Sequence, residues 1–318
     1  MKRASTFQTA LLMAAAALLA SCAKQDAQPD NAVAEPPADA RTEQLKRQRD
    51  AVTGFFKPMQ IIDGDWLQTQ SEPGETFEQY IASGPTLPTD QRRTIYIQPI
   101  GRFTGEQRKA IRLTADYMRA FYSLPVELMA DRGLGKVPAE LKRKAGYPPR
   151  DQIRTQYFID DMLPKMLKDD AAALIAFTNY DLYPGDTWAF VFGQASLERR
   201  VGVWSLYRMD DIILEADNPK DRLLFRTLKI AMHETGHMFS MRHCTKYECL
   251  MSGTNHLLET DRRPVDTCPE CMAKLAWAMN YDPAERYEKL AGFWERQRES
   301  GLASEFRKKA DAVRAAVK

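Results

Sequence analysis

Histidine is scarce in this chain, four residues in 318, and cysteine is nearly as rare, with five. No internal repeat recurs, which leaves no ground for a repeat architecture. Net charge is almost absent, 45 basic against 43 acidic side chains, so the chain is a poor candidate for binding nucleic acid. Long apolar runs are missing as well, apart from one near the N-terminus, and no other segment could span a bilayer. Core-forming residues are plentiful: 44% of the chain is apolar, too much for a disordered chain and enough for one large domain or two small ones.

The one apolar run is an address. Lys2 and Arg3 precede LLMAAAALLA at 11–20, then Ser21 and Cys22, which reads as a secretory signal peptide, too short and too abruptly ended for a transmembrane helix. Leu19, Ala20, Ser21 and Cys22 resemble a bacterial lipobox, in which the cysteine is lipidated and becomes the new first residue. The alternative is an ordinary signal peptide cleaved nearby, with Cys22 incidental. Each buried lipid methylene contributes about 0.8 kcal/mol, so several chains would hold the protein firmly on a membrane. Ala23, where a retention signal would often place Asp, points to the outer membrane of a bacterial envelope. Loss of residues 1–21 removes Lys2 and Arg3 and no acid, so the mature chain is neutral. Residues 22–55 then form a tether, rich in Ala, Pro, Asp and Gln, with a short charged helix at 42–52. The domain runs from 56 to 318.

The scarce residues are concentrated. His233 to Met251 reads HETGHMFSMRHCTKYECLM and holds three of the four histidines. On a helix, His233 and His237 share a face and can turn toward one ion. Glu234, one residue round, suits a general base better than a ligand. A continued helix would carry His243 about 9 Å onward and some 240° round, away from the ion. The helix must therefore end near Ser240 and the chain double back to deliver a third ligand, leaving a fourth position for water. The pattern HExxHxxGxxH is the metzincin signature, met here except that Ser240 replaces glycine. That position is normally left-handed, at a cost to a non-glycine residue of roughly 1–2 kcal/mol.

Cys244, Cys249, Cys268 and Cys271 form two short pairs, the spacing of a closed structural zinc site beside the first. Export to an oxidising compartment leaves disulfides within each pair as the alternative. Met251 follows as the floor of a metzincin site. The run HETGHMFSMRHC with Cys249, Met251 and CPEC resembles the archaemetzincin family. Residues 181–208 resemble the segment ahead of its zinc helix, and MSGTNHLLETDRRP at 251–264 the link between its cysteine pairs. The likeness covers roughly residues 92–290. It implies a metzincin-like α/β domain with a mixed twisted sheet, two zinc ions (one catalytic, one structural) and a peptide or protein substrate, with aminopeptidase or narrow processing activity. A non-catalytic, zinc-stabilised lipoprotein that binds peptides or partners is the second reading; an intact Glu234 argues against it.

Periodicity supplies the order of elements. Strands are expected at 94–100, 125–129, 171–183, 188–195 and 200–207, and helices at 105–122, 151–168 and 219–239, with charged amphipathic helices from Asp282. This is an α/β order. By the metzincin likeness, Phe190 to Ala195 is the edge strand that would pair with an extended peptide. Met232, Met238 and Met241 read as packing, and His256 as a loop residue or a hydrogen-bond partner of a ligand. The run Asp181 to Asp186 shapes a turn. Residues 41–90 carry no recognisable pattern and could partly cover the site.

Overall fold

The computed structural model describes residues 40–146, 149–209 and 219–318; the signal segment, Cys22 and the tether up to residue 39 lie outside them. Among the described residues no helix is long and apolar enough to cross a membrane. The strands are β1 (Thr94–Ile100), β2 (Val126–Leu128), β3 (Lys142–Ala145), β4 (Arg150–Arg154), β5 (Ala171–Thr178), β6 (Asp181–Tyr183), β7 (Gly193–Ser196) and β8 (Val201–Ser205). The helices are α1 (Ala40–Ala51), α2 (Trp66–Thr69), α3 (Phe77–Ala82), α4 (Gly105–Tyr122), α5 (Pro219–Met238), α6 (Leu257–Arg262), α7 (Pro269–Met279), α8 (Pro283–Arg296) and α9 (Ser300–Ala315).

The main sheet has the order β2-β1-β5-β8-β7 and is parallel except for β7, which runs antiparallel at the edge. Its central strands are buried along their length and read as mostly apolar runs because both faces are covered. Ile95, Ile97, Ala173, Ile175, Phe177 and Trp204 face the larger, helical core, while Tyr96, Leu174, Ala176, Val201 and Val203 face a second core with Tyr157, Phe158 and Ile159. The mixed α/β class expected from the element order is what the chain forms.

Four segments differ from expectation. Residues 151–168 do not make one helix: Arg150–Arg154 is a strand, followed by a π-helical turn at Tyr157–Met162. Pairing of β4 with β3 and β6 overrides local propensity there. The apolar run 171–183 breaks between Thr178 and Asp181, so β5 and β6 enter different sheets. Of the proposed edge strand, only Gly193 to Ala195 lie in the ladder, since Val191 instead bridges Leu182. Helix α1, placed with the tether on sequence, packs on α7 and α9 with Leu45 and Gln48 buried.

The C-terminal helices are fastened by one acid. Asp266 accepts from Arg286 at 2.9 Å and from Lys309 at 3.2 Å, all three being almost fully buried. Its backbone carbonyl takes the Leu250 N–H at 3.1 Å, which links this cluster to the cysteine loop. Asp266→Ala would strand Arg286 and deprive Lys309 of one of its two acids, the other being Glu305. We expect a loss of about 3–5 kcal/mol in the guanidinium unfolding midpoint analysis, and a loss under about 1 kcal/mol would contradict this account.

Candidate metal centres

Helix α5 lies on α4 and on the β7–β8 edge, with Leu223, Leu228, Ile230 and Ala231 buried. It ends by a backbone device. The Met241 N–H returns to Gly236 O at 3.2 Å and the Ser240 N–H to His237 O at 2.9 Å, which is a Schellman cap. Ser240 therefore adopts φ 63°, the left-handed state expected of the missing glycine. Its hydroxyl accepts the Thr86 N–H at 2.9 Å, a bond glycine could not offer. The turn sends the chain back over the helix end, bringing His243 beside the other two histidines.

The three imidazoles form a near-equilateral group, with ring centroids 4.6, 5.2 and 5.0 Å apart. Each Nδ1 already has an acceptor: Leu250 O at 2.9 Å for His233, Met241 O at 2.6 Å for His237, and the Glu72 carboxylate at 2.9 Å for His243. A carbonyl can only accept, so Nδ1 of His233 and of His237 must carry the proton. Desolvation and the neighbouring imidazoles hold His233 well below the ordinary histidine value, and burial with His243 beside it brings His237 down to about 3. Both rings are thus neutral at pH 7, with lone pairs on Nε2. Those two Nε2 atoms face one another at 3.0 Å. Two acceptors at that distance repel unless a cation lies between them, and tetrahedral zinc would space its nitrogens about 3.3 Å apart. The donor set fits zinc. Glu234 is 4% exposed, and burial pushes its carboxyl up to about 7.

Beneath the helix, Met251 fills the space that a side chain at Gly236 would need: a Cβ there would stand 2.6 Å from the methionine sulfur. Only glycine lets the helix sit so low between His233 and His237. Directly next to the histidines, Cys244, Cys249, Cys268 and Cys271 bring their sulfurs within 4.8 Å of one another. All four are thiols without disulfides, and Cys244 and Cys268 are 3.6 Å apart. Tetrahedral zinc–thiolate bonds imply a sulfur spacing near 3.8 Å. The Met251 and Cys268 N–H groups donate to Cys249 Sγ at 3.4 and 3.2 Å. The neighbouring thiols draw Cys244 well below the usual value, whereas burial pushes Cys249 and Cys268 up. Four sulfurs cannot all ionise in that space without a cation, and the cluster can hold zinc.

The chain is similar to several known proteins. A crystal structure of archaemetzincin from Methanopyrus kandleri superposes with a TM-score of 0.48 at 24% identity, covering 61% of this chain and 99% of that one. Residues 122–277 match the family model for peptidase family M54. The chain is 34% identical over 271 residues to archaemetzincin-2 of Homo sapiens, spanning 74% of each protein, and 32% identical over 269 residues to that of Mus musculus, spanning 75% of this chain and 74% of the other. The chain belongs to the archaemetzincins, peptidase family M54. It is a zinc metallopeptidase, and its substrates are peptides or proteins.

Of the residues singled out on sequence, His233, His237 and His243 converge, the four cysteines converge, and Met251 lies under the helix; Cys22 falls outside the described residues. Met232, Met238 and Met241 are buried packing groups, as read. His256 caps α6, its Nδ1 accepting the Glu259 N–H at 3.1 Å. It also groups with Asp65 and Glu259. Those carboxylates are already taken by Arg262 and Arg263 and by the backbone of Trp66 and Asn255, so the group is an ion-pair network rather than a vacant cage. Asp181 is held by Arg208 and Gln152 and is structural. Sequence reasoning did not find Glu72, because nothing in its polar surroundings marks a residue 171 positions away from its partner.

Replacing Ser240 by glycine in this archaemetzincin releases about 1–2 kcal/mol of left-handed strain. It also loses a hydrogen bond of about 1 kcal/mol and frees the unfolded chain by a further 0.4–1 kcal/mol. We expect Ser240→Gly to change thermal stability by less than about 1 kcal/mol, and a larger gain would show that the Thr86 bond contributes nothing.

Proposed function

We propose that His233, His237 and His243 hold the catalytic zinc through Nε2, that Glu234 is the general base, and that the site works in the metzincin manner. The observation that carries this is the pair of neutral Nε2 atoms opposed at 3.0 Å, each with its Nδ1 already bonded to a carbonyl. Zinc so held supplies Lewis acidity toward a water and toward a peptide carbonyl. Glu234 takes the proton that the attacking water gives up and passes it to the departing amine. Glu234 and two of the ligands, His233 and His237, ride on one stretch of α5, so the backbone fixes their spacing. Strand β7, which is at the sheet edge among the described residues and packs beside α5, would offer main-chain groups to an extended peptide, which gives affinity with limited selectivity.

In the same reading, Cys244, Cys249, Cys268 and Cys271 hold a second, structural zinc. Its role follows from connectivity: Cys244 succeeds His243 directly, and Leu250, next to Cys249, supplies the carbonyl that orients His233. A lipid on Cys22 would place the peptidase at the outer membrane of a bacterial envelope.

Glu234→Gln is expected to keep both zinc ions and to lose peptide cleavage by at least about 10²–10⁴-fold, measured with a peptide library with and without chelator. Normal turnover by this variant would refute the assigned base. No cleavage by the zinc-loaded parent would favour the peptide-binding reading instead. Comparing peptides with free and blocked N-termini separates aminopeptidase from internal cleavage. Metal analysis should count two zincs in the parent and about one in Cys268→Ser, with a lower melting temperature; an unchanged count would remove the structural site.

A further inference from the structure

Residues 57–86 lie ahead of the region matched by the family model, yet they run along the metal centres as a strap. Met59 N–H donates to Lys246 O and Glu248 N–H to Lys57 O, both at 3.0 Å. The Trp66 indole seats against Gly253, where a Cβ would leave it no room. Lys274 grips Glu75 at 3.0 Å, the Tyr80 hydroxyl donates to Phe239 O at 2.7 Å, and Thr86 bonds Ser240. The strap thus touches the cysteine loop, the helix end and the turn between them.

One contact reaches His243. Both oxygens of Glu72 stand 2.9 Å from His243 Nδ1, and the Trp66 ring meets the same imidazole edge-on at 5.4 Å. Of the other acids of the strap, Asp65 pairs with Arg262, Glu75 with Lys274 and Glu78 with Arg49, while Asp63 takes the Gln68 amide at 2.7 Å. Glu72 pairs with an imidazole. His233 and His237 give their Nδ1 protons to carbonyls, whereas His243 faces a full negative charge, a stronger acceptor that makes the opposite nitrogen a better donor. Loop residue His243 also has no helix to orient it, so its ring direction depends on such a partner.

We propose that Glu72 is a positioning residue of the catalytic zinc centre: it fixes the tautomer and ring direction of His243, making the strap an integral part of the metal cage. The proposal rests on His243 being the third ligand.

The test is zinc affinity of the full chain, measured by competition with a chromophoric chelator, together with the visible spectrum of the cobalt-substituted protein. Glu72→Ala should weaken the histidine site about 10–100-fold and leave the cysteine site unchanged. Glu72→Gln, which retains an acceptor oxygen, should recover most of that loss. Glu78→Gln, which alters the strap without touching His243, should bind zinc as the parent does. A Glu72→Ala affinity within about twofold of the parent overturns the proposal, as does an equal loss in Glu78→Gln. His243→Ala separates the two readings. If it still binds two ions, the ligand assignment fails; if it loses one while Glu72→Ala keeps both at parental affinity, only the role of Glu72 fails.

Discussion

Lone pairs on two neighbouring imidazole nitrogens repel, and at 3.0 Å the Nε2 atoms of His233 and His237 call for a cation between them. Each ring is locked from its far side by a backbone carbonyl, Leu250 in one case and Met241 in the other. Neither carbonyl belongs to an intact helical turn. Met241 is available because the Schellman cap has ended α5, and Leu250 is available because the cysteine loop has folded beneath it. Removing either the cap or the loop would leave a ring free to rotate. The site is therefore a consequence of how a helix stops and what its continuation packs against.

The cysteine cluster bears on this directly. Leu250 lies between Cys249 and Met251, its N–H bonded to Asp266 O, while the Cys244 N–H bonds Met251 O at 2.9 Å. A metal among the sulfurs would set the position of the Leu250 carbonyl from one side, and the buried Asp266, Arg286 and Lys309 cluster sets it from the other. The C-terminal helices thus act on the site without contributing a ligand. Glycine at 236 completes the arrangement, because Met251 occupies the volume of any larger side chain.

The parts legible in the sequence are those whose information is local. Helices α4 and α5 follow from 3.6-residue spacing, and the histidine and cysteine clusters from ligand spacing within about forty positions, His233 to Cys271. What was illegible depends on pairing at a distance. Residues 151–154 carry no strong strand signal, yet they sit between β3 and β6, where Gln152 and Ile153 are buried. The run 171–183 is mostly apolar, but Asn179 and Tyr180 divide it between two sheets. Glu72 is the extreme case, since its meaning lies wholly in a partner 171 residues later.

Ser240 shows how the strap and the helix end depend on one another. A glycine there would take the left-handed conformation without strain, and the cap would need no help. Serine strains the cap, but its hydroxyl takes the Thr86 N–H and Tyr80 holds the adjacent Phe239 carbonyl. Strain at the helix end is thereby offset by contacts from a segment more than 150 residues earlier. The same segment delivers Glu72 to His243, the histidine that follows three residues after the strained turn. Detaching the strap would leave the serine strained and the third imidazole without its acceptor together. The two losses fall on one turn of chain, so the strap and the metal centre are best understood as a single cooperative unit.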